Sequence, residues 1–533
     1  MLQSEKRDAV KVNRLGYLPC DTKTVFVRLD APEQAFRVVD CGGNVVFSGE
    51  LTNGIEDIAS GERTATGDFS RLSTPGVYRV ETDQLGFSCL FSIGEDVYEA
   101  AFRDVNRMFY LQRCGLQMEE RFAGEFSHPA CHTTPAREIG TGIVRDVSGG
   151  WHDAGDYGRY VAPAAKAVMD LLLAYAQAPS AFSRDTGIPK SAHGLPDVLE
   201  EARYELDWML KMQRPDGGVN HKVTCSGFPG FVMPEEEHEE LLLSPVSTCS
   251  TADFCGVMAF ASRVYATFVP DFAEECLLAA GRAYTYLEET PFSCFYNPEG
   301  IVTGQYEDVS DADERYFAAC AMFYATNEAR YGDDARARYQ PAFADGFGWE
   351  EMGGYGNALY WMAERKDPAL LAEMERALIA RADELILQSE SDGYRSTLLH
   401  YRWGSNMYLL NNAMLLLMAN DAVKNDAYIR LAGAHVDYLF GANPLSMSYV
   451  TGHGGDFPLH PHHRPSAARE TPMPGMLAGG PDEYLQDDCA KENLAGLPPA
   501  RCYIDALESY STNEIAIYWN SPLVYVLARL NRC

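Results

Sequence analysis

No stretch of this chain approaches the roughly 18 consecutive apolar residues of a membrane-spanning helix, so a helical membrane span is not expected. Positive charge is scarce: 44 lysines and arginines against 76 aspartates and glutamates leave a formal charge of −32. Phosphate backbones and anionic lipid surfaces would be repelled by such a chain, which argues against nucleic acid and against a membrane as partners. A neutral partner, such as a sugar chain, is compatible with it. The opening MLQSEKRDAV has no apolar core of the kind a secretory leader needs. The expectation is a cytoplasmic protein if that start is native, and a secreted one if a leader has been removed. None of the six tryptophans precedes residue 151, so the first part of the chain offers no row of indoles. Low-complexity sequence is limited to PEEEHEE at 234–240, which reads as a solvated acidic surface.

What is present is ample material for a core. At 533 residues and 46% hydrophobic, the chain is too long for one ordinary domain, and two are expected. The fourteen cysteines are scattered, and Cys255, Cys276 and Cys320 fall inside helix-like apolar stretches. That pattern suits mostly reduced thiols rather than a disulfide framework. Residues 1–95 read as strands: VKVNRLGYL, TVFVRLD, FRVVDCGGNVVFSGEL, GVYRVETD and FSCLFSI. Gly42 and Gly43 sit where a hairpin needs positive φ, and the spacing predicts a small β-sandwich. From residue 96 to 533 the period turns helical. Eleven runs, near 98–115, 159–178, 195–214, 251–268, 273–289, 311–332, 353–365, 368–390, 404–424, 426–440 and 513–531, carry apolar residues at helical spacing. The irregular stretch 441–512 is longer than a compact domain tolerates without a use for it.

Chemistry concentrates in GGWHDAGDYGRY at 149–160. Asp153 and Asp156 lie close together in a glycine-rich loop ahead of a helix; one of them could serve as its N-cap, but a pair disfavours its own double ionisation and points to use. Glu514, near the far end, reads as a first-turn glutamate of an apolar helix among Asp505, Tyr510, Asn513 and Trp519. Between them TGHGGDFPLHPHHRP gathers His453, His460, His462 and His463 around Arg464; Pro461 and Pro465 favour an extended loop, and the arginine opposes a cation. These groups suit hydrogen bonds to hydroxyls, with Trp349 and Trp403 available as platforms for sugar rings or as core residues. Cys114, Cys131, His132 and His152 have the composition of a closed, structural zinc shell. His152 directly precedes Asp153, so an ion there would pin the acid-bearing loop.

The set YLQRCG, CH, GGWHDAGDYGRYV, LKMQ, WGSN, PHHR and SYSTNEIAIYWNSPLVY resembles glycoside hydrolase family 9, the inverting cellulases, in the subgroup with an N-terminal immunoglobulin-like module. The resemblance covers nearly the whole chain. It implies a multidomain fold: an all-β immunoglobulin-like sandwich over 1–95 and an all-α (α/α)6 barrel over 96–533 with a cleft at one end. It further implies that Asp156 is the general base, that Asp153 helps hold the attacking water, and that Glu514 is the general acid. Burial beside Trp519 and a carboxylate such as Asp505 are expected to keep Glu514 protonated. His462 and Arg464 match a substrate-binding His-x-Arg pair, and Tyr510 and Trp519 match cleft-lining positions. A structural zinc on the Cys2His2 set is implied, and calcium on EDVSDADER through Ser310, Asp313 and Glu314. Glu350 stands where the family commonly has aspartate, which leaves a solvated acidic loop as the other reading. The expected reaction is inverting hydrolysis of β-1,4-glucosidic bonds in cellulose-derived chains or cellodextrins. The alternatives are an exo-acting β-glucosidase or exo-β-glucosaminidase, a non-catalytic sugar-binding protein, and a zinc-dependent hydrolase, against which a filled zinc shell speaks. Oligomeric state is not legible.

Overall fold

The computed structural model describes residues 9–532; most of MLQSEKRDAV lies outside them. No helix among the described residues is long and apolar enough to cross a membrane. The N-terminal part is a sandwich of nine strands: β1 (Val10–Lys11), β2 (Gly16–Tyr17), β3 (Thr24–Arg28), β4 (Ala35–Asp40), β5 (Val45–Glu50), β6 (Ile55–Asp57), β7 (Glu62–Asp68), β8 (Gly76–Glu81) and β9 (Phe91–Ile93). One sheet has the order β1-β3-β7-β6 and the other β2-β9-β8-β4-β5. Val25, Val27, Phe36, Val38, Phe69, Val80 and Phe91 fill the space between them, as alternation along half-buried strands requires.

Three details depart from expectation. VKVNRLGYL is two short strands in different sheets, because Asn13 Oδ1 accepts the Leu15 amide at 3.0 Å and Gly16 takes φ +120° to cross over. In the β4–β5 hairpin only Gly43 has positive φ, at +80°, and Gly42 does not. β6 and β7 had no apolar alternation to announce them. β7 (ERTATGD) turns Glu62 toward the helical part of the chain, where Lys11 Nζ donates to it at 2.9 Å and the Tyr394 hydroxyl also donates. Polar residues are buried there because partners meet them, not because they are apolar.

Among the described residues twelve helices of ten residues or more follow, in strict alternation. Val161–Gln177, Thr248–Tyr265, Ala312–Thr326, Gly353–Met362, Ser405–Val423 and Ile517–Arg529 are buried along most of their length. Glu99–Leu111, Asp197–Met212, Pro270–Glu289, Ala329–Arg338, Pro368–Ser391 and Asp426–Leu439 bury one stripe. In Pro270–Glu289 that stripe is Phe272, Ala273, Cys276, Ala279, Ala280, Ala283, Tyr284 and Leu287. A helix apolar all round belongs inside and a striped one outside, and the result is the (α/α)6 barrel, six helices within six. The run near 311–332 is two elements, broken at Asn327 with φ +57°, a left-handed position that asparagine tolerates.

The sandwich is fused to the barrel by buried contacts. Phe26 stacks on Tyr394 with ring centroids 5.6 Å apart, and Asn13 Nδ2 donates to Asp437 at 2.8 Å and to the Tyr98 hydroxyl at 2.7 Å. All six inner helices begin at one end of the barrel, and the loops leading into several of them supply the site described next.

Candidate active site

A cavity of about 640 Å³ opens at that end. Asp153, Asp156 and Tyr160 precede the first inner helix; Tyr306, Glu307, Asp308 and Val309 precede the third; Trp349 and Glu350 the fourth; Trp403 the fifth; and Glu514 and Ala516 the sixth, whose own Tyr518 and Trp519 complete that wall. Phe228 and Gln486 close the lining. Thus the acids from both ends of the chain face one space.

The acid-bearing loop is tightly specified. Gly149 and Gly150 hold φ +107° and +75°, open only to residues without a Cβ at low cost. Gly155 is there for another reason: a Cβ would lie 2.1 Å from the His462 carbonyl oxygen. The Asp153 amide donates to Gly158 O at 3.0 Å, and its carbonyl accepts the Ile517 amide at 2.8 Å. Asp153 Oδ2 accepts the Tyr306 hydroxyl at 2.5 Å, while its buried Oδ1 has no protein partner. Burial, and then the neighbouring Asp156, push the Asp153 carboxyl well up; the Tyr306 bond opposes this. Asp156 is raised less, because Arg464 offsets burial. Neither aspartate caps the helix that follows, whose N-cap position is Tyr160.

Glu514 is not a first-turn residue. It ends the short helix Tyr510–Asn513 in extended conformation, three residues ahead of Ile517–Arg529, and pairs in parallel with His462. Its carbonyl accepts the Gly479 amide at 2.8 Å. Burial first, then Asp156 and Asp153, drive its carboxyl well above the usual glutamate range. Asp505 takes no part in this. Its oxygens accept the Leu459 and His460 amides, both at 2.8 Å, and Asn513 Nδ2 at 3.1 Å, so it fastens the histidine loop. Carboxylates whose environments separate their acidities are the arrangement that acid and base work needs.

The four histidines do diverge. His453 Nε2 meets Asp104 at 3.1 Å, His460 is exposed, and His463 is buried against Gln112. His462 donates from Nδ1 to Leu507 O at 2.6 Å and packs edge-on to Phe231 and Tyr510. Arg464 donates to Pro229 O at 3.0 Å and to Gly155 O at 2.8 Å. Tyr510, 38% exposed, lies 5.3 Å from the Trp403 ring, so the two form a continuous aromatic wall. Trp403 Nε1 is buried without a protein partner, and Trp349 packs edge-on to Tyr306. Tyr306 escaped the sequence reading; its only signal was proximity to EDVSDADER.

Cys114, Cys131, His132 and His152 bring one donor atom each within 4.8 Å of one another. Cys114 Sγ to His132 Nδ1 is 3.6 Å, Cys131 Sγ to His152 Nε2 is 3.9 Å, and the two imidazole nitrogens are 3.4 Å apart. A tetrahedron around an ion roughly 2.0–2.3 Å from each donor has edges of about 3.3–3.8 Å, close to these separations. His132 Nε2 meets Glu237 at 2.8 Å, the outer carboxylate that fixes a ligating imidazole. Glu237 belongs to PEEEHEE, and its side chain is buried rather than solvated. A second group joins Cys249, Asp308 and Glu314 within 4.8 Å. Both carboxylate oxygens of Glu314 and of the nearby Asp253 are buried without a partner. Ser310, Asp313 and Glu350 are near but otherwise occupied: Asp313 accepts the Met352 amide at 2.7 Å, Ser310 Oγ the Ala312 amide at 3.2 Å, and Glu350 lines the cavity.

Residues 98–527 match the family model Glycosyl hydrolase family 9, and residues 5–86 match Cellulase N-terminal ig-like domain. The chain is 38% identical to a cellodextrinase of Butyrivibrio fibrisolvens over 97% of its own length and 99% of that protein. It superposes on AaCel9A in complex with cellobiose-like isofagomine with a TM-score of 0.94 at 38% identity, over 99% of this chain and 100% of that one. A Zn-binding triple mutant of the family 9 endoglucanase J30 gives a TM-score of 0.92 at 38% identity, over 96% and 99%. The chain belongs to glycosyl hydrolase family 9.

Proposed function

We propose that this glycoside hydrolase cleaves β-1,4-glucosidic bonds of cellodextrins and cellulose-derived chains by single displacement with inversion. The observation that carries it is the convergence of Asp156 and Glu514 on one cavity with unequal acidities. Glu514 starts protonated and gives its proton to the glycosidic oxygen as the bond to the anomeric carbon breaks. Asp156 starts ionised, with Arg464 favouring that state, and takes a proton from the water attacking the opposite face. Asp153, held by Tyr306 through one oxygen, turns its other oxygen to that water. Inversion requires the base and acid about 6.5–9.5 Å apart so that a water fits. Trp403, Trp349, Trp519 and Tyr510 provide apolar faces for pyranose rings, and His462 and the Trp403 Nε1–H meet hydroxyls. The relatives' names, cellodextrinase and endoglucanase, support a β-1,4-glucan as substrate.

Zinc would be held by Cys114, Cys131, His132 and His152. With all four positions filled by protein it would supply rigidity to the 149–156 loop and no open site for substrate. Calcium would be held by Glu314 and Asp308, with Asp253 beside them, where unpartnered buried carboxylates call for a hard cation. Residues 1–95 would act as a packing module and 96–533 as the catalytic unit.

The test is the product pattern from cellopentaose, followed by proton NMR for anomeric configuration, with Glu514→Gln as control. Initial α-anomers and a loss of about 10²–10⁴-fold in the variant are expected. Initial β-anomers, release of glucosamine from chitosan oligomers without cellodextrin cleavage, or binding of cellotetraose without turnover would each overturn it.

A further inference from the structure

Gln112 closes the helix Glu99–Leu111 and is 1% exposed. Its Nε2 donates to the carbonyls of His152 and Ala154, at 3.2 and 3.1 Å, the two that flank Asp153. Its own carbonyl accepts the His152 amide at 2.8 Å. With both amide protons directed at carbonyl oxygens, Oε1 is left to accept, and it meets His463 Nε2 at 3.0 Å. The proton in that bond is therefore on Nε2, and His463 Nδ1 accepts from the Ser466 hydroxyl at 2.8 Å. Burial holds this imidazole neutral, so the tautomer is fixed by its two partners.

His463 is flanked by the two residues that join the site's halves. On one side His462 pairs with the Glu514 segment, its amide donating to Asn513 O at 2.9 Å. On the other, the Arg464 amide donates to Gly155 O at 3.1 Å, between the two aspartates. At Gly155 the acid loop and the histidine strand approach too closely for any side chain. Gln112 is thus a buried side chain that grips the acid loop on both sides of Asp153 and, through a single bond, the histidine strand that pairs with the Glu514 segment.

We infer that Gln112 and His463 are positioning residues, a cross-brace that sets the gap between the aspartate loop and Glu514. The inference rests on the roles proposed above for Asp156 and Glu514. An inverting mechanism depends on that gap as well as on the two carboxyls, and a displacement of about 1 Å in such a site can cost roughly 100-fold in rate.

The experiment compares Gln112→Met, which keeps length and volume, with His463→Leu and the double variant, each as purified full-length, zinc-loaded protein. The readouts are kcat and KM on cellotetraose, zinc content and melting temperature. The expected result is a kcat lowered about 10–100-fold, KM within about threefold, zinc content unchanged, and a double variant no worse than the poorer single one, because both single variants already cut the bond that joins Gln112 to His463. Unchanged kcat in zinc-loaded variants would overturn the inference. So would parallel losses of kcat, zinc and melting temperature, which would make Gln112 a support for the metal loop alone. If Gln112→Met does not fold, His463→Asn removes the same bond from its other end and is judged by the same outcomes. Asp156→Asn and Glu514→Gln are measured alongside; if these retain turnover, the proposed roles have failed rather than the brace.

Discussion

Arg464 is the cation that opposes burial at both Asp156 and Glu514, so removing its charge should move the whole pH profile. An opposite charge in such a setting lowers a carboxyl pKa by about 1–3 units. Taking the lower end, because the cavity is open to water, Arg464→Met should raise Asp156 by about 1 unit, or about 1.4 kcal/mol between its two states. In the proposed mechanism Asp156 works ionised, so the acid limb of kcat/KM should move up by about 1 pH unit, with about a tenfold loss below that limb. In the same mechanism Glu514 works protonated, and its rise would carry the alkaline limb in the same direction. Arg464 also donates to Pro229 O and Gly155 O, so the variant could lose rate by loosening the loop. Arg464→Lys separates the effects: it keeps the charge, loses the forked bonds, and should lower the plateau with both limbs in place. The assay is kcat/KM for cellotetraose across roughly pH 4–9 at constant ionic strength. Limbs that stay put in Arg464→Met while rate falls equally in both variants would refute the electrostatic role and leave Arg464 a bracket between two carbonyls.

His152→Ala should lose zinc and lower both melting temperature and turnover, and a variant with neither altered would remove the metal from the account; Glu237→Ala, acting through His132, should weaken zinc by about 10–100-fold in chelator competition. Asp253 has its carboxyl pushed well up by burial and then by Asp308, Asp313 and Asp311. Its contribution to stability is present below the unfolded value of about 3.9 and is lost as pH rises through the folded one. In calcium-free buffer at neutral pH, Asp253→Asn should therefore melt higher than the parent, while its gain in melting temperature on adding calcium should shrink; a parent protein indifferent to both calcium and chelator would contradict this. A chain beginning near residue 96 should aggregate, because Tyr394 and Asp437 lose the Phe26, Lys11 and Asn13 partners that cover them, which light scattering would detect; a soluble, monodisperse product of normal activity would show the sandwich to be dispensable.

The helical barrel was legible because its signal is local: each inner helix is apolar over most of its surface and each outer one on a stripe, and eleven of the twelve were marked by that pattern. The twelfth was hidden because no glycine or proline marks the break: the left-handed Asn327 and the extended Glu328 alone separate the two elements. β7 was hidden for the opposite reason. Its glutamate and threonines look like a loop until a buried lysine and a tyrosine from distant parts of the chain meet them.

The same division runs through the site. Asp153, Gly155 and Asp156 are readable together because they share one short glycine-rich stretch, and Gly155 is required by a local contact, the loop being pressed against the His462 carbonyl. What raises Glu514 is not readable locally. Asp505, nine positions away in an irregular segment, was a reasonable candidate, yet an irregular segment does not fix the direction of its side chains, and this one turns to backbone amides at 459 and 460. The carboxylates that do act on Glu514 are Asp156 and Asp153, at the far end of the barrel's sequence and adjacent to it in space only because the first and last inner helices are neighbours in a closed ring. Closure of the ring is thus what brings these carboxyls together. A change that opened the seam between Val161–Gln177 and Ile517–Arg529 should lower the acidity gap between these groups before it disturbs either one's local fold.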